Sequence, residues 1–147
     1  MPSLIFMVGA SCSGKTTYSQ KLIEENPTWV RLCADEFRAI VGKDETDQSQ
    51  NHLVFQILKA TTKFLLSQGK TVVLDNTNYN KKNRADFVDM AIELGVTTTA
   101  YYFKANLQTL LTRNANRERK VPERVIQKQL DNFEYPWEIC NIVEIAT

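Results

Sequence analysis

Near the start of the chain the residues Gly9-Ala10-Ser11-Cys12-Ser13-Gly14-Lys15-Thr16 fit the pattern G-x-x-x-x-G-K-[ST] at every fixed position. The pattern has a physical reason. Two glycines let the backbone wrap closely round phosphate groups, while successive N–H groups and the start of the following helix supply positive potential. Lys15 reaches the terminal phosphates, and Thr16 offers a hydroxyl to a magnesium ion. Cys12 occupies a free position and is expected to contribute its backbone amide. A nucleoside triphosphate with Mg2+ is therefore the expected ligand, held by Gly9, Ala10, Ser11, Cys12, Ser13, Gly14, Lys15, Thr16 and Thr17. The flanks agree with the motif. Leu4 to Val8 reads as a buried strand, and Tyr18, Leu22 and Ile23 give the next segment a helical apolar face that ends near Asn26-Pro27.

With 147 residues the chain has room for one domain, 1–147, and one chemistry. Its 43% hydrophobic and 24% charged residues are ordinary for a globular protein and argue against disorder. No apolar run approaches a membrane span, and Met1-Pro2-Ser3 lacks the charged flank of a signal peptide, so no membrane partner is expected. The expected location is the cytoplasm, the host's if the chain is phage-encoded. Cys12, Cys33 and Cys140 are odd in number and lack metal-type spacing, and the single His52 does not complete a zinc set, so the thiols read as reduced. A net charge of +1 gives no global case for nucleic acid; one local basic cluster lies between Arg113 and Lys128.

Strands are expected at Trp29–Cys33, Thr71–Leu74, Thr99–Phe103 and Ile142–Ile145, and a short helix over Ala34–Arg38. Residues Val41–Ser49 read as irregular. Leu53, Val54, Ile57, Leu58, Thr61, Phe64 and Leu65 form the core face of a long helix from about Gln50 to Gln68. Phe87, Val88, Ala91 and Ile92 mark another helix, stopped by Gly95. Asn106 can cap a helix with Leu107, Leu110 and Leu111 inside, and Pro122 suits the first turn of a last helix carrying Val125, Ile126, Leu130 and Phe133. The alternation predicts an α/β fold of three layers, with a central parallel sheet of about five strands and ligands at the strands' carboxyl ends.

Polar residues just past strands one, two and three should converge there: Lys15 and Thr16, Asp35, and Asp75. Arg38 lies one turn after Asp35 on the same face, a pairing suited to an acceptor hydroxyl flanked by a phosphate. Asp35 could instead cap its helix, and Arg38 could pair with either Asp35 or Glu36. Arg113 and Arg117, spaced i, i+4 on one helix with Arg119 and Lys120 following, suit a lid over phosphates or a solvated helix end. Thr77, Asn78 and Asn80 could do no more than shape a turn, and His52 reads as an ordinary residue.

With these motifs in order, the chain resembles the kinase domain of the polynucleotide 5′-hydroxyl kinases, P-loop phosphotransferases of nucleic-acid end repair, over nearly its whole length. The resemblance rests on Gly9–Thr16, on Asp35-Glu36-Phe37-Arg38, on Asp75-Asn76-Thr77-Asn78, and on Arg113-Asn114 with Arg117 and Val121-Pro122. It implies an adenylate-kinase-like fold with a helical lid and ATP-dependent transfer to the 5′-hydroxyl of single-stranded RNA or DNA. It further implies Asp35 as general base, Arg38 on the acceptor's neighbouring phosphate, and Arg113 and Arg117 as lid arginines on the adenine and phosphates. By position, Lys15, Asp35, Arg38 and Arg117 would be catalytic, and Asp35, Arg38, Asp75 and Asn78 would face the acceptor. In the phage form the acidic residue directly precedes the Thr-Asn pair; here Asn76 takes that place, so Asp75 and Asn76 both remain candidates to face the site. Family members also carry phosphatase or ligase units, for which this chain has no room, so it is expected to be either a stand-alone kinase or a kinase unit cut from, or partnered with, something larger such as a phosphatase or ligase. A small-molecule kinase acting on a nucleoside, sugar or antibiotic, and a nucleotide-binding switch, are the competing readings.

Overall fold

The computed structural model describes all residues 1–147. Strands and helices alternate almost throughout: β1 (Ser3–Val8), α1 (Lys15–Glu25), β2 (Val30–Leu32), α2 (Ala34–Val41), α3 (Asn51–Ser67), β3 (Val72–Leu74), α4 (Lys81–Leu94), β4 (Thr97–Lys104), α5 (Leu107–Ala115), α6 (Glu123–Asp131) and β5 (Asn141–Ala146). The strands form one parallel sheet in the order β2-β3-β1-β4-β5. From β1 the chain passes by way of β2 to β3 on one side, then crosses to β4 on the other, which places a topological switch point at the carboxyl end of β1. The P-loop leaves β1 at that end.

Period-two alternation of β1 builds the layers. Leu4, Phe6 and Val8 pack with Val54, Leu58 and Leu66 of α3 and Phe87 and Ala91 of α4. Ile5 and Met7 point the other way, against Leu22 of α1, Val73 and Phe103. A third cluster of Ala10, Leu110 and Ile126 seats α5 and α6 against the P-loop. No helix is long and apolar enough to cross a membrane.

Two caps form as the sequence predicts: the Asn106 side chain accepts from the Thr109 amide, and Gly95 ends α4 with φ of 67°. Pro122 sits at the N-cap of α6, one residue ahead of its first turn. The predicted inner faces need correction. Leu53, Phe64 and Ile92 are 42%, 63% and 73% exposed. The buried stripe of α3 is Val54, Leu58, Thr62 and Leu66, a strict i+4 row that leaves Leu53 and Phe64 outside. Thr62 can be buried there because its hydroxyl donates to the Leu58 carbonyl at 2.7 Å.

Candidate active site

The P-loop is shaped by close approach. A Cβ on Gly9 would lie 2.8 Å from Ser13 Oγ and 3.1 Å from both Phe103 Cβ and the Phe103 carbonyl oxygen, so no larger residue fits. Gly14 precedes α1 at φ of 101° and supplies no side-chain cap. The first-turn amides of α1 are thus open to an anion. The Gly9 amide donates to the Thr77 carbonyl at 2.9 Å, tying the loop to the end of β3.

Lys15 folds back over this loop, donating to the Ala10 carbonyl at 2.7 Å. Burial lowers its pKa to about 8, with Asp75 and Cys12 pulling the other way and Arg117 adding to the depression. A cavity of about 660 Å³ opens beside it, lined by Cys12, Gly14, Lys15, Thr16, Arg113 and Arg117, with Ile145 and Thr147 at its margin. That volume suits a nucleotide. No group of three or more acidic, His or Cys side chains stands ready for a metal. Thr16 nevertheless fits the magnesium chemistry of a P-loop, in which one protein hydroxyl shares the ion with phosphate oxygens and water.

Asp35 does not cap α2. Cys33 holds the N-cap position, and the α2 amide of Ala34 is instead satisfied by Asn76 Oδ1 at 2.9 Å, a cap delivered from the end of β3. The Asp35 carboxylate is free to bond two guanidinium groups, Arg38 on Oδ1 and Arg119 on Oδ2, the latter at 3.3 Å. Arg38 therefore pairs with Asp35, not with Glu36, whose carboxylate takes Arg31 at 2.7 Å. Asn51 Oδ1 also accepts from Arg38 Nε at 3.0 Å, and the Phe55 ring lies under the guanidinium, 5.9 Å from its centroid.

The third-strand motif is turned inward. Asp75 is 4% exposed and accepts from Ser19 Oγ at 3.0 Å and from Arg31 Nη2 at 2.7 Å, joining α1 to β2 beneath Lys15. Asn78, also buried, adopts φ of 45° and donates its amide to the Met7 carbonyl at 2.8 Å. Through Asp75 Oδ2 and the Asn78 side-chain amide nitrogen the two residues hold the ends of β1, β2 and β3 together, a structural role beside the acceptor-facing one expected of them. Asn76 caps α2 and so positions Asp35. Cys33 is buried, and desolvation with the nearby Asp75 carboxylate pushes its thiol pKa up, an inert environment.

Arg113 lies in the last turn of α5, but Arg117 does not continue that helix, because Asn116 ends it. The two nevertheless converge on one residue. Arg113 Nη1 donates to the Cys12 carbonyl at 3.2 Å and Arg117 Nη1 to Cys12 Sγ at 3.1 Å. Cys12 thus contributes its carbonyl and thiol to the lid contact, beyond the amide expected of it. The lid segment is pinned by buried Asn114, which donates to the Val121 carbonyl at 2.7 Å and accepts from the Val121 amide at 2.9 Å. Gln129 of α6 reads Ser11 the same way, accepting from its amide at 2.8 Å and donating to its hydroxyl at 3.1 Å.

A family model described as AAA domain, AAA_33, matches residues 4–136, from β1 to beyond α6. This chain belongs to that AAA domain family. As an AAA domain it is 30% identical over 159 residues to L-seryl-tRNA(Sec) kinase of Methanococcus maripaludis, covering 98% of this chain and 59% of that protein. Among solved structures it resembles a chain of the Pnkp1/Rnl/Hen1 RNA repair complex with a TM-score of 0.80 at 24% identity, over 91% of this chain and 44% of that one. A sugar kinase from Janibacter sp. HTCC2649 superposes with a TM-score of 0.74 at 15% identity, over 99% and 86% of the two chains. These likenesses show a P-loop kinase fold. The AAA domain here spans little more than half of the first relative and less than half of the repair-complex chain.

Three site residues of this AAA domain escape the sequence motifs: Arg31, Arg119 as a partner of Asp35, and Gln129. Each of the three bonds across a long stretch of chain, so no local spacing announces it. Arg119 alone carries a signal, its place in the basic run after Arg117.

Proposed function

We propose that this chain is an ATP-dependent phosphotransferase acting on the 5′-hydroxyl end of RNA or DNA. The observation that carries the reading is Asp35, a 39% exposed carboxylate that caps nothing and stands between the guanidinium groups of Arg38 and Arg119. A hydroxyl flanked by a phosphate asks for such a set: a carboxylate to take the proton and cations for the phosphate. In the reaction, the acceptor hydroxyl gives its proton to Asp35 and its oxygen bonds the γ-phosphorus. The bond from that phosphorus to the β–γ bridging oxygen breaks, and ADP leaves. Lys15, the α1 amides, Arg113 and Arg117 line the donor cavity and would hold the phosphates in line. Thr16 would hold magnesium, which would supply positive charge against the charge developing on the phosphates.

The 30% identity to L-seryl-tRNA(Sec) kinase favours a second reading, in which the acceptor is a seryl hydroxyl carried on tRNA. Both readings share the donor site and Asp35. A small-molecule acceptor has support from the fold alone, through the sugar kinase. A ligase or phosphatase partner accords with the fold likeness to a chain of an RNA repair complex. The cytoplasm remains the proposed location.

Transfer of label from γ-labelled ATP separates these readings, using 5′-hydroxyl RNA and DNA oligonucleotides, their 5′-phosphorylated forms, a free nucleoside and seryl-tRNA. Label on the 5′-hydroxyl oligonucleotides supports the end-healing kinase, and label on seryl-tRNA alone moves the chain to the second reading. Asp35→Asn should keep ATP affinity and lower transfer by roughly 10²- to 10⁴-fold; unchanged transfer would remove Asp35 from the role of base.

A further inference from the structure

Both oxygens of the Asp35 carboxylate are engaged, Oδ1 by Arg38 and Oδ2 by Arg119. Each oxygen keeps a second lone pair, but a guanidinium on it crowds the approach of a hydroxyl, so the more weakly held of the two is the one an acceptor would displace. The two are not equally held. Arg38 is 12% exposed, bonded through Nε to Asn51 and seated over Phe55. Arg119 comes from the segment between α5 and α6, is 36% exposed, and reaches Asp35 at 3.3 Å.

Its other nitrogen is poorly satisfied. Arg119 Nη1 lies 3.0 Å from Glu45 Oε1, close enough for attraction, yet this buried N–H has no aligned hydrogen-bond acceptor. Glu45 belongs to the irregular segment between α2 and α3, which also carries Asp44 and Asp47. In the free protein this acidic segment sits where an anionic ligand would reach Arg119.

Resting on the reading of the site given above, we propose that Arg119 is a specificity-determining residue that exchanges carboxylates for phosphate. When an acceptor carrying a phosphate beside its hydroxyl enters, Arg119 leaves Asp35 Oδ2 and Glu45 for the phosphate oxygens, beside Arg38. The exchange satisfies the orphan N–H and frees Oδ2 for the hydroxyl proton. An acceptor without the phosphate offers Arg119 nothing better than Asp35, so Oδ2 stays crowded. Phosphate-flanked hydroxyls are thereby selected by freeing the base as well as by affinity.

The test compares a nucleoside 3′-monophosphate with the unphosphorylated nucleoside, by calorimetric binding and by transfer from labelled ATP. The wild type should bind the phosphorylated ligand more tightly. Arg119→Ala should weaken that ligand by roughly 10- to 100-fold, as for loss of a charge-assisted contact, leave the affinities for nucleoside and ATP alone, and raise transfer to the unphosphorylated nucleoside relative to the 3′-monophosphate. Glu45→Gln should tighten the 3′-monophosphate by about two- to fivefold, the scale of an exposed ion pair. Equal weakening of both ligands, loss of ATP affinity, or no preference for the 3′-phosphate in the wild type would overturn the role of Arg119. Phosphate-dependent binding that Arg119→Ala abolishes, without transfer to any nucleotide, would uphold Arg119 and overturn the 5′-hydroxyl kinase reading instead.

Discussion

Lys15 is partly neutral in the free protein above pH 8, and there a bound phosphate would restore its charge. In the free protein burial holds its pKa at about 8, so at pH 8.5 only about a quarter of the molecules carry the charge. Triphosphate oxygens favour the ammonium form, so binding at that pH must draw a proton from solvent, while at pH 6.5 the proton is already present. Calorimetry of ATP binding in buffers of different ionisation enthalpy should therefore register net uptake of up to about three-quarters of a proton per site at pH 8.5 from this residue and almost none at pH 6.5. The same shift touches stability with the opposite sense to an ordinary ion pair. Between about 8 and the ordinary lysine value of 10.5 the unfolded chain binds the proton more tightly than the folded one. The penalty of burying this ammonium is present in full below about 8 and is relieved as pH rises through that window. Arg31 behaves otherwise: desolvation opposes its charge, but Glu36 and Asp75 outweigh it and raise its pKa.

Among the elements, the segment between α5 and α6 holds the two halves of the site together. Arg117 turns to the donor cavity and Arg119 to Asp35, and both are carried on the stretch that Asn114 closes against Val121. Asn114→Ala would leave the Val121 amide and carbonyl without their partner, a cost of about 1–3 kcal/mol. KM should rise for ATP and acceptor together under steady-state kinetics, whereas Arg119→Ala moves the acceptor alone. The sequence disclosed most of this architecture because β1, α1 and the caps at Asn106 and Gly95 are specified by neighbours in the chain. It misjudged Leu53, Phe64 and Ile92 because apolarity at helical spacing marks a wide stripe, and tertiary packing chooses the row within it. The i, i+4 spacing of Arg113 and Arg117 suggested one helical face, but Asn116 ends α5 between them, and they meet at Cys12 through the fold. Asp75, Asn76 and Asn78 were legible as a motif, not as roles: each binds a segment far away in the chain, and spacing is blind to that.

Across the whole molecule, the crevice depends on polar anchors buried in an apolar frame. Arg84 is fully buried, reaching Glu138 at 2.6 Å, the Asn78 carbonyl at 2.6 Å and the Glu134 carbonyl at 2.9 Å. It fastens α4 and the end of β3 to the segment leading into β5. Arg84→Met should lower stability by about 3–5 kcal/mol, read as a reduced urea midpoint, since Glu138 and the carbonyls lose their donor. Arg84→Lys should recover little, because a single ammonium does not span three acceptors in a fixed fork. The margin of the donor cavity carries a consequence for folding. Ile145 and Thr147 share that cavity with the P-loop, and Arg113 Nη1 reaches Thr147 Oγ1 at 3.4 Å. A nucleotide there touches segments from opposite ends of the chain, so its binding rewards the contacts of greatest sequence separation, the ones whose loop-closure entropy slows folding most. Nucleotide affinity is thus expected to fall wherever β5 fails to pair with β4, because part of the cavity wall would then be missing.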